Sequence, residues 1–216
     1  MLRVLLLLLA GPALAEHPCR EGAPLEPGAQ LMWRSIETSE PIPADITAGY
    51  VNARDPDRYG RVRAHLFRND VHVQEALIRE GLAFAHPVRE TEACARRLLL
   101  AEREARVRRR GVWRTRRVER AADPALRSRV GRFAIVEGRV RSVGARRRTV
   151  YLNFGQRWTT DFTVSAARRD LKDELLGRLE AATGSRVRVR GFLEERGGPL
   201  IRLHDKAQIE WLDRPN

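Results

Sequence analysis

The chain has 216 residues, of which 41 are Lys or Arg and 28 are Asp or Glu, so its formal net charge is +13. This length suits two small domains better than one. Nearly all of the positive charge is arginine, because Lys172 and Lys206 are the two lysines. Arginine binds phosphate through paired hydrogen bonds, so the charge favours a polyanionic partner, although a GC-rich genome also enriches arginine.

The first 15 residues read MLRVLLLLLAGPALA: a basic residue, an apolar run and an Ala-Leu-Ala ending. This order is typical of a secretory signal peptide that is cleaved after Ala15. The apolar run is too short for a membrane span, no later segment qualifies, and the residues before Cys19 do not form a lipid-attachment box. We therefore expect export to a bacterial periplasm or beyond. Loss of Arg3 would leave a mature net charge of +12.

Cys19 and Cys94 are the two cysteines of the chain. Export permits a disulfide between them, which would tie the start of the mature chain to a predicted helix. The alternative is two unpaired thiols, one near a frayed end and one half-buried.

Residues 57–113 carry the clearest structural pattern, which begins with a hairpin. Val62, Ala64 and Leu66 alternate with basic residues, and this period of two predicts a half-buried strand. The polar positions of that strand are Arg61, Arg63 and His65. Turn residues at 68–70 then precede a short second strand.

Two amphipathic helices are predicted to follow the hairpin. The first ends at Gly81, which suits a C-terminal cap, and the second runs from Glu92 to Arg110 and stops at Gly111. We expect Trp113 to fold back onto the core.

This order of hairpin, two helices and Gly-x-Trp, with Tyr-Gly-Arg at 59–61, resembles the C-terminal half of the staphylococcal-nuclease (thermonuclease) family. The resemblance implies a calcium-dependent phosphodiesterase acting on DNA or RNA. In that mechanism carboxylates hold calcium, a glutamate activates water, and two arginines neutralise the phosphate under attack. Arg61 matches the second of these arginines.

The family's other site residues belong to the segment before residue 57. Residues 35–41, SIETSEP, resemble the family's Ile/Val-Asp-x-Pro-Glu element. On that alignment Glu37 stands at the metal-binding aspartate and Glu40 at the general base. The alternative is a chance similarity within a loop.

Three departures from the family pattern predict an incomplete catalytic half. Ala23 falls where another metal carboxylate belongs, and alanine cannot ligate calcium. Met32 falls at the first arginine, and Arg34, roughly 6.6 Å further along the same strand face, is its candidate substitute. Glu40 and Arg61 are 21 positions apart, too few for the helix and strand that the family places there.

A second domain is predicted beyond a charged segment. Residues 115–131 are basic and contain Asp123-Pro124, and after them the order is strand, strand, strand, helix, strand, strand. That order predicts a small five-stranded OB-like barrel at 132–214. We therefore expect an α+β chain, mainly β: a thermonuclease-like domain at 16–114 with a truncated barrel and degenerate N-terminal part, a linker, and the second barrel.

Barrels of this kind bind single strands by stacking bases on aromatic side chains in a basic groove. Tyr151 is the candidate surface aromatic, since Leu152 and Phe154 are expected to face the core. Its candidate phosphate-binding neighbours are Arg139, Arg141 and Arg157. The alternative is a module for packing or for docking a protein.

Three functions remain open from the sequence. The first is an exported nuclease with a trimmed site, which would need Ca²⁺. The second is a relative that binds DNA, RNA or a protein without cleaving, and the third is an envelope interaction protein. The missing carboxylate, the displaced arginine and the short spacing favour impaired hydrolysis.

Overall fold

The computed structural model describes residues 17–20, 22–26, 29–33, 35–42, 44–51, 56–157 and 159–213. The predicted signal peptide and Arg34 lie outside these residues. The described part is mixed α+β and mainly β, as the sequence predicts. No helix within it is long and apolar enough to cross a membrane.

A five-stranded sheet forms the first part of the chain, and its central strand is β5. The strands of this part are β1 (Ala23–Pro24), β2 (Gln30–Trp33), β3 (Ile36–Glu37), β4 (Ala48–Val51), β5 (Arg61–Arg68), β6 (Val71–His72) and β7 (Phe84–Ala85). The sheet has the order β1-β4-β5-β2, and β6 pairs with β5. Strand β2 runs parallel to β5, whereas β3 leaves this sheet and pairs with β7.

The predicted hairpin of β5 and β6 is present, but β5 is buried on both faces. Ala64 and Leu66 are fully buried, as their alternation predicts. His65 is only 1 % exposed, so the prediction of a polar outer face is wrong at this residue. The reason is that Cys94 and His72 cover this face, their Sγ and Nε2 atoms lying 3.7 Å and 3.0 Å from the His65 ring nitrogens.

Two helices follow the hairpin, α1 (Val73–Arg79) and α2 (Glu92–Val107). The Thr91 side chain caps α2 by accepting a hydrogen bond from the backbone N–H of Cys94. Gly81 follows α1 with a φ of +72°, and a Cβ there would lie 2.3 Å from the carbonyl oxygen of Arg110. Only glycine therefore permits this close approach between the two helix ends. Trp113 is buried just beyond α2, as predicted.

Cys19 and Cys94 form a disulfide, with their Cα atoms 4.8 Å apart. The bond fastens the first described residues to α2. Both cysteines are buried among apolar side chains that include Ile78 and Leu98. The disulfide is therefore part of the core that packs α1 against α2.

An eight-stranded sheet forms the second part of the chain. Its strands are β8 (Glu119–Arg120), β9 (Phe133–Arg139), β10 (Ser142–Ala145), β11 (Thr149–Asn153), β12 (Thr163–Ala167), β13 (Arg186–Arg196), β14 (Gly198–Leu203) and β15 (Ile209–Trp211). The order is β10-β11-β12-β14-β13-β9-β8, with β15 paired to β13. Strand β10 lies at one edge of this sheet and β9 lies near the other edge, yet only Val140 and Arg141 separate the two strands in the chain.

Helix α3 (Asp173–Glu180) connects β12 to β13 and places Leu179 in the interior of this sheet. Leu152 lies in the same core, as predicted, and Phe154 packs against it. Phe162 is also buried there. Both phenylalanines therefore contribute to packing.

Arg190 of β13 joins the second sheet to the helices of the first part. Its Nη1 atom donates hydrogen bonds to Glu102 Oε2 at 2.7 Å and to the carbonyl oxygen of Ala85 at 3.0 Å, and its Nη2 atom donates to Glu210. The side chain is only 1 % exposed. Burial alone would lower the pKa of Arg190, but the charges of Glu102 and Glu210 outweigh it and raise that pKa.

We predict that removing the disulfide lowers the free energy of unfolding by about 4 kcal/mol, because the bond restricts a long loop in the unfolded chain. The measurement is urea unfolding of Cys19→Ala/Cys94→Ala against the wild type. Wild-type protein treated with a dithiol reductant should unfold like the variant. An unchanged midpoint in both would show that the bond contributes nothing.

We also predict that Arg190→Met destabilises the protein by about 3–5 kcal/mol, because it removes the closer of the two cations that contact the buried Glu102. Arg202→Met is the matched control: its ion pair with Glu194 is about two-fifths exposed on each side, so the loss should be below about 1 kcal/mol. Adding Glu102→Met to Arg190→Met should recover part of the loss. Equal losses for the Arg190 and Arg202 variants would contradict the prediction.

Candidate functional site

Arg61 begins β5 and is held by Asp57. The Nε and Nη2 atoms of Arg61 donate to Asp57 Oδ2 at 3.0 and 2.8 Å. Asp57 Oδ1 accepts the backbone N–H groups of Tyr59 and Arg61, and Gly60 adopts a φ of +75°, so this carboxylate organises the whole Tyr-Gly-Arg turn. Its hydrogen bonds from Arg61 lower the pKa of Asp57. The Arg61 side chain is 40 % exposed and can meet a ligand.

Glu37 lies on a different sheet from Arg61. It pairs with Phe84, across β3 and β7. The side chain is partly buried, and this burial raises the pKa of Glu37.

Glu40 follows β3 in a loop that is anchored to the segment after α1. Its carbonyl oxygen accepts the indole N–H of Trp33 at 2.8 Å. Its own N–H donates to the Thr38 hydroxyl oxygen, and that hydroxyl donates to the carbonyl oxygen of Leu82. The backbone of this candidate base is therefore fixed by neighbouring groups.

Among the described residues, no hydrogen bond or ion pair joins any two of Glu37, Glu40 and Arg61. The register of β2 and β5 explains why. Gln30 lies beside Arg61, and Trp33 lies beside Ala64 at the other end of the pair. The chain that leads from Trp33 to Glu37 thus starts about 10 Å along the sheet from Arg61.

The described residues do not fit the calcium ion of the family. Calcium takes six to eight oxygen ligands. Ala23 is an exposed residue of β1 and offers no side-chain oxygen. Within the described ranges, the groups of three or more potential ligands consist of histidine and cysteine, with no carboxylate. Both cysteines of those groups belong to the disulfide.

A buried histidine cluster surrounds that disulfide, and the sequence pattern did not reveal it. The Nδ1 atom of His65 lies 3.0 Å from His72 Nε2, and its Nε2 lies 3.0 Å from Glu90 Oε2. On the other side His17 Nε2 lies 2.8 Å from Glu75 Oε2. The sequence signal that could have predicted this cluster was the presence of His65 and His72 on the two strands of one hairpin.

His72 and Glu75 of this cluster differ in their charge at neutral pH. Burial, together with the neighbouring His65 and His17, lowers the pKa of His72 to about 2. Burial would raise the pKa of Glu75, but hydrogen bonds from His17 and Arg97 outweigh it and lower that pKa to about 2. At neutral pH His72 is therefore neutral and Glu75 is charged.

A second buried histidine, His86, lies at the junction of the two parts. Its ring contacts Phe133 at 5.0 Å and Phe192 at 5.9 Å between centroids. Burial, and then the charge of Arg190, lower the pKa of His86 to about 4. It is neutral at physiological pH.

The candidate residues of the second sheet differ in exposure. Tyr151 is half-buried in β11, whereas Arg139, Arg141 and Arg157 are exposed. The guanidinium of Arg139 donates to the carbonyl oxygen of Gly184. Within the described ranges no hydrogen bond or ring contact joins Tyr151 to these three arginines.

Residues 44–115 match the family described as staphylococcal nuclease homologue. The chain therefore carries a staphylococcal nuclease homologue domain at these residues, which confirms the resemblance drawn from the hairpin and the two helices. The matched range includes Arg61 and begins after Glu37 and Glu40. No curated protein matches the sequence.

Several solved structures are similar to part of the chain. A lysozyme-bound OBody, AM1L10, is 20 % identical over 41 % of this chain and 86 % of its own, with a TM-score of 0.32. A structure described as an aspartyl-tRNA synthetase from Leishmania major Friedlin is 13 % identical over 45 % of this chain and 21 % of its own, with a TM-score of 0.34. Asparaginyl-tRNA synthetase from Pyrococcus horikoshii is 17 % identical over 40 % of this chain and 21 % of its own, with a TM-score of 0.32. The matched region spans about a fifth of either synthetase.

We predict that stability falls as the pH drops below about 6.5. His72 and His86 stay neutral in the folded protein, whereas in the unfolded chain each gains a proton below its ordinary pKa of 6.5. The unfolded state then binds more protons, so each histidine lowers the free energy of unfolding by about 1.4 kcal/mol per pH unit between about pH 6 and 4.5.

Urea unfolding between about pH 7.5 and 4.5 measures this slope. His86→Gln should remove one histidine's share of the slope. The prediction fails if this variant and the wild type show parallel pH dependence.

Proposed function

We propose that this protein is an exported, nucleic-acid-binding relative of the staphylococcal nucleases in which calcium-dependent hydrolysis is impaired. One observation carries the proposal. The described residues keep the arginine turn of the family and lack the carboxylate set that calcium requires.

The state of Arg61 supports phosphate binding. A guanidinium has five N–H donors, and Asp57 takes those on Nε and Nη2 through a single carboxylate oxygen. The remaining donors and two-fifths of the side chain are accessible to a phosphate. Asp57 then acts as the group that orients Arg61 towards solvent.

The surroundings of Glu37 and Glu40 support impaired hydrolysis. A bound cation stabilises the charge that develops on a phosphodiester and lowers the pKa of the attacking water. Neither glutamate belongs to a ligand cluster within the described ranges. A lone glutamate without a metal is a weak base for activating water.

The second sheet supports a nucleic-acid-binding role. We infer that it is a small OB-like barrel, because β9 leads directly into β10, the strand at the far edge of the same sheet, and α3 precedes β13. The first sheet is in turn a truncated barrel of the nuclease type. Both carry part of a net charge of +13, which attracts polyanions.

The disulfide supports export. Disulfides form and persist mainly in oxidising compartments, such as the bacterial periplasm or the exterior. The bond between Cys19 and Cys94 fits such a compartment. It begins four residues beyond the predicted cleavage site after Ala15.

The test combines binding and cleavage of a labelled oligonucleotide, as DNA and as RNA. We expect binding at low salt and an intact substrate at high protein and calcium concentrations. Arg61→Ala should weaken binding about tenfold, since a hydrogen bond to a charged group contributes about 1.5 kcal/mol. Arg103→Ala, an exposed arginine of α2, is the control and should bind like the wild type.

Two results would overturn the proposal. Calcium-stimulated digestion that disappears in Glu40→Gln and Arg61→Ala would show a working nuclease. An absence of binding at low salt would instead indicate an envelope interaction protein.

A further inference from the structure

A groove of about 520 Å³ lies beside the segment that connects the two parts of the chain. Its charged lining residues are Arg116, Arg117, Arg120, Arg129, Arg132, Glu119 and Asp123. They come from the connecting segment, from the 3-10 turn at Pro124–Arg129, and from the residue before β9. Folding therefore brings together five cations and two anions.

The wall of this groove is fixed by backbone pairing and by one ion pair. Strand β8 runs parallel to β9, with Arg120 beside Glu137, and the N–H of Ala121 donates to the carbonyl oxygen of Glu137 at 2.9 Å. The guanidinium of Arg129 is paired with Glu119, and both side chains are mostly buried. The arginines above this wall are thus presented by ordered backbone.

Three of the arginines are available to a ligand. Arg117, Arg120 and Arg132 are exposed, and no ion pair of the described part includes them. A fourth, Arg116, lies over the Phe84 ring, with its Cζ atom 5.6 Å from the ring centroid. Guanidinium groups that share a concave surface without carboxylate partners suit phosphate oxygens.

We propose that this groove binds the phosphodiester backbone of a single-stranded nucleic acid. The inference rests on the proposed nucleic-acid-binding function and adds a second contact surface for it. The volume is comparable to that of a small-molecule site, so the groove admits a short stretch of backbone. A flexible single strand can follow such a concave surface, whereas duplex DNA is stiff over about 150 base pairs.

The groove lies almost wholly beyond the nuclease homologue domain. That domain ends at residue 115, which is the first residue of the groove lining. Loss of hydrolysis in the domain would therefore leave the groove intact. Binding through it requires neither Glu40 nor Arg61.

The experiment measures how the affinity for a labelled oligo-dT depends on salt, from about 50 to about 200 mM. The groove variant is Arg117→Ala/Arg120→Ala/Arg132→Ala. The control is Arg103→Ala/Lys172→Ala/Arg196→Ala, which removes the same charge from exposed side chains on α2, before α3 and at the end of β13. Circular dichroism and urea unfolding verify that both variants are folded.

We expect the slope of log K against log salt to shrink by about 2 in the groove variant, because each single-strand phosphate contact contributes about 0.7. The control should keep the wild-type slope. If the triple variant does not fold, Arg117→Ala alone should reduce the slope by about 0.7.

The outcomes separate this inference from the function on which it rests. Equal slopes for the groove variant and the control, with binding by the wild type, would overturn the groove and leave the function standing. A labelled duplex of the same length is the second probe, and a groove variant that loses duplex affinity but keeps oligo-dT affinity would overturn the single-strand assignment. A wild type that binds no nucleic acid would overturn both.

Discussion

The buried contact between Arg190 and Glu102 determines how the two parts of this protein are arranged. Both side chains are only 1 % exposed, so neither charge can leave the contact without a large change in hydration. Glu102 Oε1 also accepts the N–H of Ala85, which aligns β7 with α2. An aromatic cluster that includes Trp113 and Phe133 surrounds the junction. The nuclease-type domain and the second sheet therefore meet at a buried junction.

Local pattern predicts much of this fold. The alternation in β5, the helical stripes and the glycines at 81 and 111 are all signals between residues close in sequence, and the elements occur where they indicate. His65 shows where such signals end. Its burial depends on Cys94, 29 positions away, which covers the face that local alternation marks as polar. The domain boundaries at 114 and 131 stay a prediction.

The residues of the candidate site also differ in whether local sequence or long-range pairing determines their position. The Tyr-Gly-Arg turn identified Arg61 because its geometry is local: Asp57 is four positions away and fixes the guanidinium. The place of Glu37 follows from the pairing of β3 with β7, a contact between segments 47 positions apart, which the spacing of residues does not reveal. The arginine groove depends on the parallel pairing of β8 with β9. Sequence therefore identified the residue types, and the fold decided which of them meet.

The disulfide and the buried ion pair need different lengths of the chain. Cys19 precedes Cys94 by 75 residues, so the bond needs the chain only as far as the start of α2. Glu102 is made 88 residues before Arg190. Without β13, Glu102 keeps its 3.6 Å contact with Arg106 and the hydrogen bond from the N–H of Ala85. A chain that ends after Trp113 thus contains both cysteines but lacks Arg190, so the nuclease-type domain depends on the second sheet for the closest ion pair of its buried Glu102.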